Sequence, residues 1–177
     1  MKKKMVRAIL IILGVISLIM LGRLYMLGNT SKTGKPPGVV SGRLSACPDK
    51  PNCVSSESAD DPSHYISPLH YPTSMSEETM DLLKGVIQEV GGEITAEEGA
   101  YLSATFTSAL FGFVDDVECR DDRANHTIHL RSASRVGHSD FGVNRKRVAF
   151  ISSLFQKRVN MANQEMTPTN TRPSSSG

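Results

Sequence analysis

The longest apolar stretch of the chain lies near its N-terminus. Between Ala8 and Gly22 there are 15 residues without a charge, and the apolar character continues through Arg23 to Gly28, for 21 residues in all. A helix of that length spans about 31 Å, close to the roughly 30 Å of a bilayer's hydrocarbon core. Arg23 would lie near one end, where its long side chain can reach the headgroups. The pattern predicts a transmembrane helix over 8–28.

A cleaved signal peptide is the alternative interpretation of this segment, because signal peptides are also apolar and N-terminal. A cut after Gly28 would leave Met26 at the minus-three place, which fits a small-x-small cleavage site poorly. The positive-inside rule predicts that the cations before the span stay in the cytoplasm. We therefore expect a single-pass protein of the bacterial inner membrane, with the rest of the chain in the periplasm. The cations before the span are Lys2, Lys3, Lys4 and Arg7.

Two later segments have the period of an amphipathic helix. Ser74 and Glu77 have the spacing of a capping box before the first helix, and Gly91 follows its last turn. Asp140 is placed to cap the second helix. The apolar stripe of the first helix is Met80, Leu83, Ile87 and Val90, and that of the second is Val148, Ile151, Phe155 and Val159.

The residues between these helices alternate as strands do. "EITAEEGAYLSATF" predicts a hairpin that turns at Glu98 and Gly99, and "GFVDDVEC" and "HTIHLRSAS" predict a third and a fourth strand around the turn "RDDRAN". The order predicts an α+β fold, in which an antiparallel four-stranded meander packs two helices on one face, preceded by one transmembrane helix. The other face is predicted to be exposed or to bind a partner, since it carries Tyr101, Ser103, Thr105, Asp116, Glu118, His129 and Arg131.

These elements predict the organisation of the whole chain. Residues 29–45 are rich in Gly, Ser, Lys and Pro, which is typical of a flexible linker. The C-terminal end has few apolar residues and many turn formers, as disordered segments do. The predicted order is a cytoplasmic basic start (1–7), a transmembrane helix (8–28), a flexible linker (29–45), an extracytoplasmic α+β domain (46–160) and a disordered tail (161–177).

Charge is distributed unevenly along the chain. The formal net charge is +2, yet residues 1–45 contain eight Lys and Arg residues and no Asp or Glu, so the remainder carries a net charge of −6. A nucleic-acid-binding domain needs a net basic face to neutralise phosphates. The mildly acidic remainder therefore argues against nucleic acid as a partner.

The three cysteines indicate where the folded domain begins. Leu44 to Cys47 resembles a lipoprotein cleavage box, but nineteen residues separate Cys47 from the apolar end at Leu27, too far for that processing. In an oxidising compartment Cys47 and Cys53 are expected to form a disulfide. Free thiols are one alternative; the other is a metal site with His64 and His70, although the Cys-x5-Cys spacing is wider than usual for zinc and we predict no metal site. Cys119 is expected to be a small buried hydrophobe.

Three stretches carry a resemblance to a known family: "CPDKPNCV", "FVDDVEC" and "RSASRVGHSDFGVNRKRV". Together they resemble the domain-of-unknown-function family numbered 1499, found in bacterial membrane-associated proteins, over about residues 46–159. Cys119 stands where that family usually has an aromatic residue, and His138 stands where tyrosine is common. The resemblance implies the limits of the domain and implies no established reaction.

The segment 131–148 has the parts of an anion site. Its cations, hydroxyl groups and the amides of a helix N-terminus are the groups that hold phosphates and carboxylates. The hypothesis is that this corner binds a phosphate, a carboxylate or a lipid headgroup. The residues predicted to bind the anion are Arg131, Ser134, Arg135, Ser139, Asn144 and Arg145.

A buried polar network is the alternative interpretation of the same corner. In that reading Arg131 lies opposite Asp116 across the hairpin, and Asp115 or Asp116 pairs with Arg135. Asp140 and Asn144 would then tie the turn into the second helix.

No motif for a known reaction is visible. His138 and Asp140 flank a serine, but three neighbouring residues seldom converge as a triad must. Asp115 and Asp116 are adjacent on a strand and point to opposite faces. No cofactor motif is present, so none is predicted. The expected function is a membrane-anchored binding or envelope-associated scaffold module, with a small anionic ligand or an envelope protein as partner; the alternative is a hydrolase or other enzyme that uses the polar cluster around His138 and Asp140.

Overall fold

A computed structural model describes residues 2–166 of the chain. The first element is one long helix, α1 (Lys2–Ser31), which contains the predicted span and extends beyond both of its ends. Its most apolar window is not buried by the rest of the protein. Its length and composition are those of a helix that can cross a membrane, and equally those of a signal sequence.

A six-stranded antiparallel sheet forms the centre of the domain. The strands of the chain are β1 (Val39–Val40), β2 (Arg43–Leu44), β3 (Cys53–Ser55), β4 (Leu69–His70), β5 (Glu93–Glu98), β6 (Tyr101–Thr107), β7 (Val114–Asp122) and β8 (Thr127–Ser134). In the six-stranded sheet they are ordered β3-β8-β7-β6-β5, and β4 also pairs with β8. The predicted meander is β5–β8, so the expectation of four strands was too low: β3 and β4 add two, and β1 and β2 form a separate two-stranded hairpin.

The helices α2 (Thr79–Glu89) and α3 (Val143–Met166) cover one face of this sheet. This arrangement confirms the α+β class. The inner face of the sheet contributes Leu102, Ala104, Val117, Cys119, Ile128 and Leu130 to the core, and α3 contributes the predicted stripe of Val148, Ile151, Phe155 and Val159.

The ends of the helices agree only in part with prediction. The capping box at Ser74 and Glu77 was wrong, because Thr73–Met75 forms a short 3₁₀ turn and α2 begins later, with no side-chain cap. Asp140 does cap α3, since its carboxylate accepts hydrogen bonds from the amide nitrogens of Gly142 (2.9 Å) and Asn144 (2.7 Å). The helix continues through the first six residues of the predicted disordered tail, whose remainder, 167–177, lies outside the described residues.

The segment 29–45 packs against the outer face of the sheet, where we had expected a flexible linker. Ser31 and Leu44 are buried. The amide of Gly38 donates to the Glu118 carboxylate at 2.7 Å, and the amide of Leu44 donates to Glu57. The composition of the segment is that of a linker, but these partners come from distant parts of the chain. The outer face is therefore partly covered by the protein's own N-terminal segment.

Candidate functional site

The residues predicted to bind one anion lie on two faces of the sheet. Asn144 of α3 donates to the Ser134 hydroxyl at 3.0 Å on the helix-covered face. Arg131 and Arg135 lie on the outer face, where they contact carboxylates of β7. Arg145 lies apart from both groups, and donates to the backbone carbonyl oxygens of Ser63 and Tyr65 at 2.7 Å each. These groups do not converge on one position.

The outer-face arginines are already paired. Arg131 donates to Glu118 at 2.7 Å, and Arg135 makes a two-pronged contact to Asp116 at 2.8 and 2.7 Å. Arg135 also donates to the carbonyl oxygen of Ser31 at 3.1 Å, which ties the end of α1 to the sheet. The expected pairing of Arg131 with Asp116 was wrong, because the strand register places Arg131 opposite Glu118. Charges paired in this way hold the outer face together and leave little capacity for an anion.

Asp115 lies on the helix-covered side and forms a separate pair. Its carboxylate accepts a hydrogen bond from Arg147 at 2.7 Å, and the Arg147 guanidinium lies 4.6 Å from the centre of the Phe106 ring. Ser139 accepts a hydrogen bond from the amide of Phe141 at 3.3 Å. Asp115 and Ser139 therefore support the junction between the sheet and α3.

His138 and Asp140 line a hollow of about 430 Å³ next to the disulfide. Both carboxylate oxygens of Asp140 cap α3, and within 2–166 no hydrogen bond joins His138 to Asp140. His64 also lines the hollow, but its ring nitrogens bond to Asp61 and to the carbonyl oxygen of Lys50. The hydrogen bond to the Asp61 carboxylate raises the pKa of His64 above its ordinary value. The two residues named by the enzyme hypothesis, His138 and Asp140, therefore do not form an acid–base pair with each other in the described structure.

Cys47 and Cys53 form a disulfide with their Cα atoms 5.6 Å apart, at the start of the domain. Cys119 is a free thiol in the core, and burial raises its pKa, which keeps it protonated and unreactive. In the part of the chain that the structure describes, no three His, Cys, Asp or Glu side chains are grouped as a metal site requires.

A polar groove remains open on the outer face, between segment 32–38 and strands β5 and β6. Its volume is about 680 Å³. Alternation along β6 directs every second side chain into it. Its hydroxyl-bearing side chains are Thr95, Tyr101, Ser103, Thr105 and Thr107. We call this feature the outer-face groove.

The chemistry of the outer-face groove is set by its free charges. Lys32 and Lys35 line one side, and Glu93 and Glu98 line the other. Among residues 2–166 none of these four forms an ion pair with another residue. The hydroxyl of Tyr101 donates to Glu118 at 3.0 Å, and burial together with that carboxylate raises the pKa of the phenol. The groove therefore offers free cations, free carboxylates and a row of fixed hydroxyl groups.

Part of this groove could be predicted from the sequence. The alternation of β6 already placed Tyr101, Ser103 and Thr105 on a polar face. Lys32 and Lys35 were missed as wall residues, because they belong to a segment whose composition is that of a linker. No local signal shows that this segment folds back on the sheet.

The fold and the groove define a class of protein: an apolar N-terminal helix joined to an α+β domain whose charged sheet face is partly closed by the chain's own N-terminal segment. The chain belongs to the family described as "Protein of unknown function (DUF1499)", whose model matches residues 43–155. This confirms the resemblance seen in the sequence. The match begins in β2 and ends in α3, so the wall of the groove at 32–38 lies outside it. No curated protein and no solved structure matches the chain.

Proposed function

We propose that this protein is a membrane-anchored binding module of the bacterial envelope, whose outer-face groove binds a small hydroxylated anion such as an acidic sugar or a sugar phosphate. The observation that carries the proposal is the combination of free Lys32 and Lys35 with the row of hydroxyl groups on β6. The ammonium groups would hold the anionic group of the ligand, and Ser, Thr and Tyr would exchange hydrogen bonds with its hydroxyl groups.

The proposed location is the inner membrane, with the domain in the periplasm. The cations before α1 favour a cytoplasmic N-terminus under the positive-inside rule. The disulfide between Cys47 and Cys53 supports an oxidising compartment for the domain. The cations and the disulfide are independent features, and both support a periplasmic location for the domain.

The anion is assigned to the groove because its cations are available. Arg131 and Arg135 are neutralised by Glu118 and Asp116, whereas the two lysines are not neutralised by any described residue. Glu93 and Glu98, on the opposite side, would accept hydrogen bonds from donors of the same ligand. Their position favours a ligand that carries donors as well as a negative charge over a bare anion.

The test measures binding of glucuronate and glucose 6-phosphate to the full-length protein in detergent, with glucose as the neutral reference. Replacing both lysines, as Lys32→Gln with Lys35→Gln, should weaken binding of the anionic compounds by at least about tenfold, since hydrogen bonds to charged groups are worth roughly 1.5–3 kcal/mol each. The matched control is Lys157→Gln, an exposed lysine of α3 outside the groove. Binding that survives the double substitution, or an absence of binding by every anionic compound tested, contradicts the proposal.

A further inference from the structure

Two loops of the domain expose large apolar side chains beside the end of α1. The loop 108–113 joins β6 to β7, and the loop 135–142 joins β8 to α3. Among residues 32–166, the two most exposed large apolar side chains are Phe141 (90%) and Leu110 (70%), one in each loop. Apolar side chains that remain in water do not stabilise the fold, so the stability of the domain does not explain why Leu110 and Phe141 are apolar.

The two loops share an unusual backbone conformation. Phe111 has φ 64° and Phe141 has φ 55°, in the left-handed region, and the glycine that follows each phenylalanine also has a positive φ. A bulky aromatic residue in this region is uncommon and strained. The same Phe-Gly turn therefore occurs in two loops that are far apart in the sequence. In both loops it lies next to α1.

Close contacts fix the end of α1 against the first loop. A Cβ atom added to Gly28 would lie 2.0 Å from the carbonyl oxygen of Phe111, so the helix and the loop touch at their backbones. The amide of Val114 donates to the Ser31 hydroxyl at 3.0 Å. Because Gly28 is the last residue of the predicted span, this loop is held at the level where α1 would leave the bilayer.

The space between α1 and the two loops is lined mainly by apolar side chains. It is a hollow of about 360 Å³. The two carboxylates that border it are already occupied, because Asp115 pairs with Arg147 and Asp140 caps α3. The apolar residues that line it are Leu24, Leu27, Phe113, Val114, Val136, Phe141 and Val143. The apolar surface of α1 thus continues into the domain, and the free cation Lys32, whose ammonium group lies beside Gly112, stands at its edge, where a lysine can extend to the lipid headgroups.

We propose that the loops 108–113 and 135–142 dock into the membrane interface, with Leu110 and Phe141 inserted among the lipid headgroups and the upper acyl chains. Phe150 extends the same surface, since it lies seven residues after Val143 on one face of α3 and is 57% exposed. A lipid surface is the occupant that the geometry favours over a protein, because the patch is continuous with the helix proposed to span the bilayer. The inference therefore rests on α1 being a membrane span.

The experiment uses the absence of tryptophan from the chain, which makes every introduced tryptophan a single probe. The full-length variants Leu110→Trp and Phe141→Trp report on the loops, and Leu18→Trp reports on the middle of the proposed span. Ala100→Trp is the control, because it lies in the exposed turn between β5 and β6 at the opposite end of the strands. Each variant is reconstituted in phosphatidylcholine vesicles that carry bromine either near the headgroup end or near the terminus of the acyl chain.

Shallow bromine should quench both loop probes strongly, since interfacial apolar side chains are buried about 5–10 Å into the headgroup boundary. Deep bromine should quench Leu18→Trp, and neither lipid should quench Ala100→Trp. If Leu18→Trp is quenched while both loop probes fluoresce as Ala100→Trp does, the docking proposal is wrong and the anchor stands. If Leu18→Trp is not quenched by either lipid, the anchor itself is wrong. A loop probe that is shifted to the blue at high protein concentration without quenching indicates a protein occupant and also overturns the proposal.

Discussion

The two faces of the central sheet are built from the same strands and held by different forces. On β8, Leu130 points into the core against α2 and α3, whereas its neighbour Arg131 points to the outer face and pairs with Glu118. Both arginine and glutamate are almost completely buried, as is the leucine. The inner face is stabilised by removal of apolar surface from water, and the outer face by directional contacts between charges.

This difference assigns different roles to the two faces. Apolar contacts are non-directional, so the inner face gives stability without selecting one arrangement strictly. A slip of β8 by one residue would separate Arg131 from Glu118. It would also move the apolar side chains of β8 to the outer face and its polar side chains to the inner face. We therefore interpret the inner face as the main source of stability. The buried apolar pattern and the outer ion pairs both fix the register, and the outer ion pairs also attach the N-terminal segment.

The largest expected effect is loss of the inner face. Phe155 is fully buried in the core, and Phe155→Ala should lower the free energy of unfolding by about 3–5 kcal/mol, the usual cost of that truncation. Met161→Ala is the matched control on the same helix, because Met161 is exposed and lies outside the proposed docking surface, and it should change stability by less than about 0.5 kcal/mol. Urea unfolding of the full-length protein in detergent measures both, and equal effects of the two substitutions would show that the core is misassigned.

A smaller effect is expected when one charge of the outer face is removed. Glu118→Gln leaves the buried guanidinium of Arg131 without its counter-charge, which costs about 3 kcal/mol in buried pairs. Replacing both partners, as Glu118→Met with Arg131→Met, should recover part of that loss, because no unpaired charge is left buried. The measurement is the free energy of unfolding of the wild type, of Glu118→Gln and of the double variant. Glu97→Gln, which breaks the exposed pair with Lys84, is the control and should have little effect. A double variant less stable than Glu118→Gln would refute this account of the face.

The inner face was predictable from the sequence because its signal is periodic. The stripe of α3 at Val148, Ile151 and Phe155 and the alternation of β6 both require only local residues. The Asp140 cap is local as well, since it contacts amides two and four residues away. An apolar pattern with the period of a helix or a strand can be recognised in the sequence without knowledge of the fold.

The outer face was less predictable because its contacts join distant residues. The predicted turn between β7 and β8 covered 120–125, but β7 continues to Asp122 and the turn tightens to 123–126. The observed register places Arg131 opposite Glu118 and not opposite the predicted Asp116. Strands β3 and β4, of three and two residues, are too short to show alternation. The composition of segment 29–45 predicts a linker, and no local signal corrects this, because the partner of Gly38 on β7 lies about eighty residues further along the chain.

The smallest expected effect concerns pH, to which the two faces should respond differently. His129 lies on the outer face, 3.2 Å from the Ser56 hydroxyl and 3.9 Å from Glu57. Burial lowers the pKa of His129 below its ordinary value of 6.5, with a contribution from Arg120, although the Glu57 carboxylate opposes both. The unfolded chain therefore binds this proton more readily than the folded one. The stability contributed by His129 is present above pH 6.5 and is lost as the pH falls below it.

Between about pH 5 and 6.5, above the range of ordinary carboxyl groups, the free energy of unfolding should rise with pH by at most about 1.4 kcal/mol per pH unit for this one proton. His129→Gln should flatten that rise, and Phe155→Ala should keep it, since Phe155 carries no titratable group. Asp61→Asn is a second control, because the raised pKa of His64 places its effect above pH 6.5, where stability falls as the pH rises. Urea unfolding at half-unit pH steps measures these slopes. If His129→Gln keeps the wild-type slope, the acid sensitivity does not come from the outer face.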